Sequence, residues 1–381
     1  MVRHYGIVAN IGMTAICNLQ IWRNASLRVA TITSALGHEA KFLRKKSKRD
    51  APRNVYVSQA KDIFSNLALE HWLYQNVDLS SERILLLWWN DPCVVIGRHQ
   101  NPFCEVNIKK MKENGVVLAR RNSGGGTVYH DRGNLNLSFL APRDLYNRRE
   151  NLKIICDALY KNYGMNVSIN PRDDIFLDTF YKISGTASKL GATNSYHHCT
   201  LLVDVDTSTL NSILTPEDIG IISRATASVP SMTKNLVEDT PTVNVEGIAS
   251  AVANTYLEVG SSSLNCGIQS VNPTESWFPG IGAIINELKS IEWIYDKTPK
   301  FSISKVVPVP IEFGSRLGSS LNIFLSVEHG KIVETSDPLK SLDILTKKLY
   351  NLGEVDSSHF DECQLFCFEV LKSCIANFCI V

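Results

Sequence analysis

Short apolar runs and longer helical stripes follow one another along this chain in an irregular order. Ile63, Leu67, Leu69, Trp72 and Leu73, with His71 among them, recur at helical spacing, and Ser58 is the expected cap. RILLLWW (83–89) is apolar almost throughout, as in a buried strand, and CVVIG (93–97) is a second such run, stopped by Gly97. A short charged helix is expected around Asn107 to Glu113. Strands are expected at VVLARR (116–121), at TVYHD (127–131) and at LNLSFL (135–140), whose alternation predicts one wet face. Glu150 to Tyr163 places Ile154, Ile155, Leu159 and Tyr160 on one helical side. Residues 174–188 and 197–205 read as strands. Residues 206–243 are turn-rich and polar, with Pro216, Pro230 and Pro241, and are expected to be a mobile loop region.

Helical pattern returns at Val245 to Tyr256 and Gly282 to Leu288. Beyond WIYDKTPKF (293–301), strands are expected over Val306–Phe313 and Leu321–Val327, and helices over Leu339–Leu352 and Phe360–Phe378. A domain boundary is placed near Phe301 to Ser304, dividing residues 51–301 from a smaller part, 302–381. Strands cluster instead of alternating regularly with helices. That order predicts an α/β (α+β) fold: a mixed, largely antiparallel sheet with flanking helices.

Composition narrows the picture little. Of 381 residues, 44% are apolar and 20% charged, and the net charge is +1. That balance gives no global field pointing to a nucleic-acid or membrane partner. The charge is unevenly spread, however. The first fifty residues hold nine arginines and lysines against Glu39 and Asp50 alone. Together with Ser, Thr and Ala, this is the composition of a mitochondrial transit peptide, expected over residues 1–50, with a disordered or nuclear-type basic arm as the alternative. His4 to Trp22 is uncharged, but His4, Asn10, Asn18 and Gln20 make it a poor spanning helix. Folded structure is expected from about Asn54.

The ten cysteines read as free thiols of a reducing compartment. Cys363, Cys367, Cys374 and Cys379 lie close together without the C-x-x-C spacing of a zinc site, so buried thiols are preferred to metal ligands.

Candidate chemistry lies in the middle of the chain. RRNSGGGTVYHD (120–131) sets three glycines between paired arginines and a strand pattern. No lysine-bearing phosphate loop is present, and the residues after the glycines read as a strand, not the helix of a dinucleotide fingerprint. Ser123 has Arg121 where a hydrolase elbow needs glycine. A site and a plain hairpin both remain open from these residues. KISGTAS (182–188) offers a strand lysine before a small-residue turn, suited to a phosphate or a polarised carbonyl, or merely solvated. His197 and His198 point to opposite faces of one strand and cannot share a metal. Cys199 is either a nucleophile or structural.

Taken together, WWNDPCVVIGRHQNPFCEVN (88–107), ARRNSGGGTVYHDRGNLNLSF (119–139), YKISGTAS with HHCTLL (181–202), ATASVPSMTKNL (225–236) and IEWIYDKTPKF (291–301) strongly resemble the lipoate–protein ligase A and lipoyltransferase family. The resemblance covers roughly residues 58–301. It implies a catalytic domain like that of biotin and lipoate protein ligases, with a small C-terminal α/β domain. It also implies an acyltransferase that places lipoyl groups, through lipoyl-AMP, on a lysine of lipoyl domains. The implied acceptors are the E2 subunits of 2-oxoacid dehydrogenases and the glycine-cleavage H protein, in the mitochondrial matrix.

Carried over by position, Lys182 is the implied catalytic residue, stabilising charge as the amine attacks and AMP leaves. Gly124 to Gly126, Gly125 at the centre, would leave room for the lipoyl arm, and Tyr129 would line its channel. Arg121 would sit beside the adenylate. Arg172 and Thr200 would hold the AMP portion, with Thr226 and Ala227 closing over it. The family implies a monomer, no tightly bound cofactor and no metal, with Mg/ATP needed only if free lipoate is activated.

Some positions depart from the bacterial pattern. Cys199 replaces a glycine, Asp173 and Asp174 replace asparagine–aspartate, and the loop ASVPSMTKNL lacks arginines. Fewer cations favour a transferase using preformed lipoyl-AMP. A complete ATP-dependent ligase, transfer from a lipoylated H protein, a thioester on Cys199 and a non-catalytic binding module are the alternatives.

Overall fold

Asp62, not Ser58, starts the first helix: its carboxylate accepts from the Ser65 amide at 2.9 Å. In this computed structural model residues 51–259 and 267–378 are described. The basic leader, the span from His4 to Trp22 and Cys379 lie outside them. Strand β1 (Arg53–Ser58) leads into helix α1 (Ile63–Asn76) and then β2 (Arg83–Trp88). The helix returns the chain over the sheet, so β2 pairs parallel to β1. Next come β3 (Cys93–Ile96), β4 (Val117–Arg120), β5 (Val128–His130) and β6 (Asn134–Pro142), then α2 (Arg148–Tyr163). Residues 167–202 form five strands: β7 (Val167–Ile169), β8 (Ile175–Leu177), β9 (Tyr181–Ser184), β10 (Thr186–Leu190) and β11 (Asn194–Leu202). Asp178 and Thr179, both at positive φ, turn β8 back into β9.

The region expected to be a mobile loop carries structure of its own. It holds a helix at Thr207–Ile213, strand β12 (Ile221–Ser223) and a 3₁₀ turn at Leu236–Glu238. Beyond it lie α3 (Val245–Glu258), β13 (Gly267–Val271), α4 (Ile281–Lys289), β14 (Phe301–Pro308), β15 (Ser320–Glu328), β16 (Lys331–Thr335) and α5 (Glu362–Ile375). The helix expected over Leu339–Leu352 is absent. Asp343 and Thr346 adopt positive φ there, leaving short turns around buried Leu342 and Ile344. Pro308 and Pro310 likewise end β14 before Phe313.

The main sheet has six strands in the order β10-β11-β6-β2-β1-β13. Antiparallel pairing prevails from β10 to β2, and β1 is parallel to both its neighbours. Strand β2 shows why the sheet needs two helical layers. Ile84, Leu86 and Trp88 face α1 and α4, whereas Leu85 and Leu87 face α2 and α3. Truncating one of these leucines to alanine costs about 2–5 kcal/mol.

Strand β6 corrects the expectation of a wet face. Asn134, Asn136 and Ser138 are buried, and Ser138 lies under α1, where it meets Glu70. A four-stranded sheet, β12-β14-β15-β16, combines a strand from residues 206–243 with three after residue 300. Phe103, Phe301 and Phe378 pack together at its base. No helix among the described residues is long and apolar enough to cross a membrane.

Candidate active site

The glycine segment is a crossing forced by topology. Strands β4 and β5 flank β3 on opposite sides, so residues 121–127 must pass over the end of β3. They pass very close. A Cβ on Gly97, the residue that ends β3, would lie 2.2 Å from the Gly125 carbonyl oxygen. Gly125 itself has φ +86°, a conformation that favours glycine.

Arg121 holds this crossing from beneath. Its Nη2 donates to the Gly124 and Gly126 carbonyls at 2.6 and 2.7 Å, its Nη1 to Val95 at 2.9 Å and its Nε to Ser123 Oγ at 2.9 Å. The guanidinium is buried and pushed down to about 10 by that burial. Arg121 therefore shapes the turn. Arg120 is buried on the other side and ties Gly97, Arg98 and Gln100 to Ile294 and Thr298.

A compensating carboxylate comes from α1. Ser123 Oγ lies 2.8 Å from His198 Nε2, and His198 Nδ1 lies 2.8 Å from Glu70 Oε1. Ser138 Oγ donates to the same oxygen at 2.5 Å. A chain Glu70–His198–Ser123–Arg121 thus joins a buried carboxyl to a buried guanidinium through two side chains. Burial pushes the Glu70 carboxyl up, but His198 and Ser138 outweigh it and hold the group below its ordinary value of 4.5. Sequence reasoning missed Glu70, whose one signal was a carboxylate inside an apolar helical stripe.

Lys182 stands on β9, where its amide donates to the Met232 carbonyl at 2.8 Å and Thr233 bridges to it. Its Nζ lies 2.9 Å from Asp174 Oδ1, and both side chains are largely buried. Thr200 Oγ1 accepts from the Gly185 amide at 3.1 Å. A Cβ built on Gly185 would lie 3.6 Å from that hydroxyl and 4.0 Å from Lys182 Nζ. Gly125 abuts Ala187 and the Thr186 carbonyl. The structure therefore groups Lys182, Thr200 and Gly125 around the turn between β9 and β10.

The remaining candidates stand in different settings. Arg172 is at the exposed tip of the 170–174 turn, which Thr186 Oγ1 ties to β10 through the Asp173 carbonyl at 3.2 Å. Thr226 and Ala227 are exposed. Their neighbour Ser228 docks the loop on the glycine turn: it accepts from the Thr127 amide at 2.8 Å and bonds to Glu105. Ser228 and Glu105 were not legible as site residues. Tyr129 is buried in the apolar cluster, and by alternation His130 is the residue on the Arg121 and His198 side.

His197 points away, onto Phe139 and Asn151, as the alternation predicts. Cys199 faces the α2 and α3 layer, is 3% exposed, and burial pushes its thiol up to about 12. Its place in that layer fits a buried structural thiol and does not favour the thioester route. Among the described residues no three His, Cys, Asp or Glu side chains are grouped to hold a metal.

Beside Asn122 lies a cavity of about 310 Å³ lined by His71, Arg98, Lys189, Glu287 and Trp293, among others. Arg98 and Lys189 both donate to Asn122 Oδ1, at 3.4 and 3.3 Å. Burial, with Lys189 beside it, pushes His71 down to about 4.

A mixed sheet, a tight glycine crossing and a strand lysine held against Asp174 define the class. Residues 62–257 match the lipoyl protein ligase A/B catalytic domain, and the chain belongs to that family. It is 45% identical over 299 residues to the human mitochondrial lipoyl amidotransferase LIPT1, covering 77% of this chain and 79% of that protein. It is 35% identical over 252 residues to lipoate–protein ligase A of Bdellovibrio bacteriovorus, covering 65% and 73%. Among solved structures it is similar to P. falciparum LipL1 in complex with lipoate, with a TM-score of 0.57 and 27% identity over 85% of this chain and 99% of that one.

Proposed function

We propose that this enzyme transfers the lipoyl group from lipoyl-AMP to a lysine of lipoyl domains. The observation that carries the reading is Lys182, fixed by backbone bonds on β9 and held beside Gly185 and Thr200 at the glycine turn. In the reaction the acceptor amine forms a bond to the acyl carbon. The bond from that carbon to the phosphate oxygen breaks, AMP leaves with the electron pair, and the amine's surplus proton passes to water. Lys182 is placed to stabilise the negative charge that develops on the acyl and phosphate oxygens. Its salt link to Asp174 orients the ammonium before substrate arrives.

Thr200, Arg172, Thr226 and Ala227 would contact the AMP portion, and Gly125 would allow close approach of the acyl arm. An arm reaching Tyr129 would lie in the apolar interior. The cations at Asn122 suit an anionic group nearby.

The acceptors of this reading are the E2 subunits of 2-oxoacid dehydrogenases and the glycine-cleavage H protein. The setting is the mitochondrial matrix, supported by the mitochondrial names of the human and mouse relatives. No tightly bound cofactor is needed. ATP and magnesium enter only if activation of free lipoate is retained, a reading that similarity to a bacterial ligase supports. Against it, Lys234 in the ASVPSMTKNL segment is engaged by Asp239 and so is not free for ATP phosphates. The test is the mass gain of an apo lipoyl domain supplied with enzyme and lipoyl-AMP. No gain from a folded enzyme refutes the proposal.

A further inference from the structure

Residues 228–233 form a strap between the glycine turn and β9, tied at both ends and bare in the middle. At one end Ser228 is bonded to Thr127 and Glu105. At the other the Met232 carbonyl and Thr233 pair with Lys182. Between these anchors Val229 is 56% and Met232 70% exposed. On the other side of Lys182, two residues before it, Phe180 is 75% exposed. Phe180 comes directly after two non-glycine residues, Asp178 and Thr179, whose left-handed conformations build the turn that presents it. Single exposed apolar side chains are ordinary, but three flanking one partly buried lysine call for a partner.

We propose that Phe180, Val229 and Met232 form the docking rim for the acceptor, a folded domain whose target lysine projects from its surface. The inference rests on the transfer reaction proposed above. An extended lysine side chain reaches only about 6 Å from its Cα, by ordinary bond lengths. To bring its amine to an acyl carbon beside Lys182, the acceptor must set its own surface against whatever surrounds that lysine. The strap and the Phe180 turn are what surrounds it. Aromatic and methionine side chains are also the types enriched where proteins meet. A small soluble nucleophile would need none of this rim.

The test uses the full chain with Phe180→Ser and Val229→Ser, two exposed positions outside the proposed catalytic group. Transfer from lipoyl-AMP is measured against rising apo lipoyl domain, and separately with hydroxylamine, which forms the lipoyl hydroxamate without docking. Docking predicts that Phe180→Ser raises the KM for the domain about tenfold or more, with kcat at saturation and hydroxamate formation unchanged. An unchanged KM overturns the proposal. So does an equal loss with domain and hydroxylamine, which would place these residues in adenylate binding. Wild-type protein that modifies neither nucleophile refutes the transfer reading itself, and the docking rim with it.

Discussion

Replacing Glu70 by glutamine removes one charge and almost no volume. In the native protein the carboxylate accepts from Ser138 at 2.5 Å and lies 2.8 Å from His198, and it faces Arg121 only through His198 and Ser123. Glutamine can keep both neighbours as partners, but without the carboxylate's charge. Each then loses about 1 kcal/mol, the difference between charge-assisted and neutral bonds. Arg121 is in addition left as a buried cation whose relay to an anion is gone, so about 2–3 kcal/mol in all is expected. For a chain of this size that lowers the melting temperature by roughly 3–4 °C.

The damage should be local as well as global. Hydrogen exchange at residues 122–128 should quicken, because Arg121 holds the Gly124 and Gly126 carbonyls. Ser123→Ala cuts the same relay, so the double variant should cost little more than the worse single one. The Glu70 carboxyl lies below 4.5, so its stabilisation is complete above pH 4.5 and is lost as pH falls through the depressed native value. The glutamine variant should lack that part of the acid limb. A melting temperature within about 1 °C of wild type, or strictly additive single effects, would refute the relay.

Lys182→Met should lower transfer about 10²–10³-fold while the protein stays folded, read by circular dichroism beside the acceptor assay. Cys199→Ala should keep full transfer activity, since the buried thiol faces the layer opposite the site; a large loss would reinstate a thioester. Gly97→Ala should be destabilised by roughly 1–3 kcal/mol in thermal melts, because its Cβ would meet a backbone oxygen at 2.2 Å that cannot rotate away.

Much of the fold was legible because burial leaves a period. RILLLW alternates between two helical layers, and α2 and α3 show their stripes plainly. What failed were positions where tertiary contacts override the local pattern. Asn134, Asn136 and Ser138 read as a wet face because nothing local reveals that they are buried, with Ser138 meeting Glu70 of α1. The segment 206–243 read as loop because its turns and prolines mask a strand that pairs only with β14, some eighty residues on.

The site divides in the same way. Lys182, Thr200 and Gly125 stand together because Gly185 lies against Thr200 and Lys182, while the next residues, Thr186 and Ala187, lie against Gly125. Arg121, expected beside the adenylate, makes hydrogen bonds that build the glycine crossing, a role the motif did not reveal. Glu70 and Ser228 act through partners more than a hundred residues away, and spacing along the chain cannot show that.

The most direct test supplies residues 50–381 and an apo H-protein domain with lipoyl-AMP, and in parallel with free lipoate, ATP and magnesium, and weighs the acceptor by mass spectrometry. The account predicts one lipoyl group per acceptor from lipoyl-AMP and little or none from free lipoate. An acceptor unmodified by lipoyl-AMP in the presence of folded enzyme would contradict it.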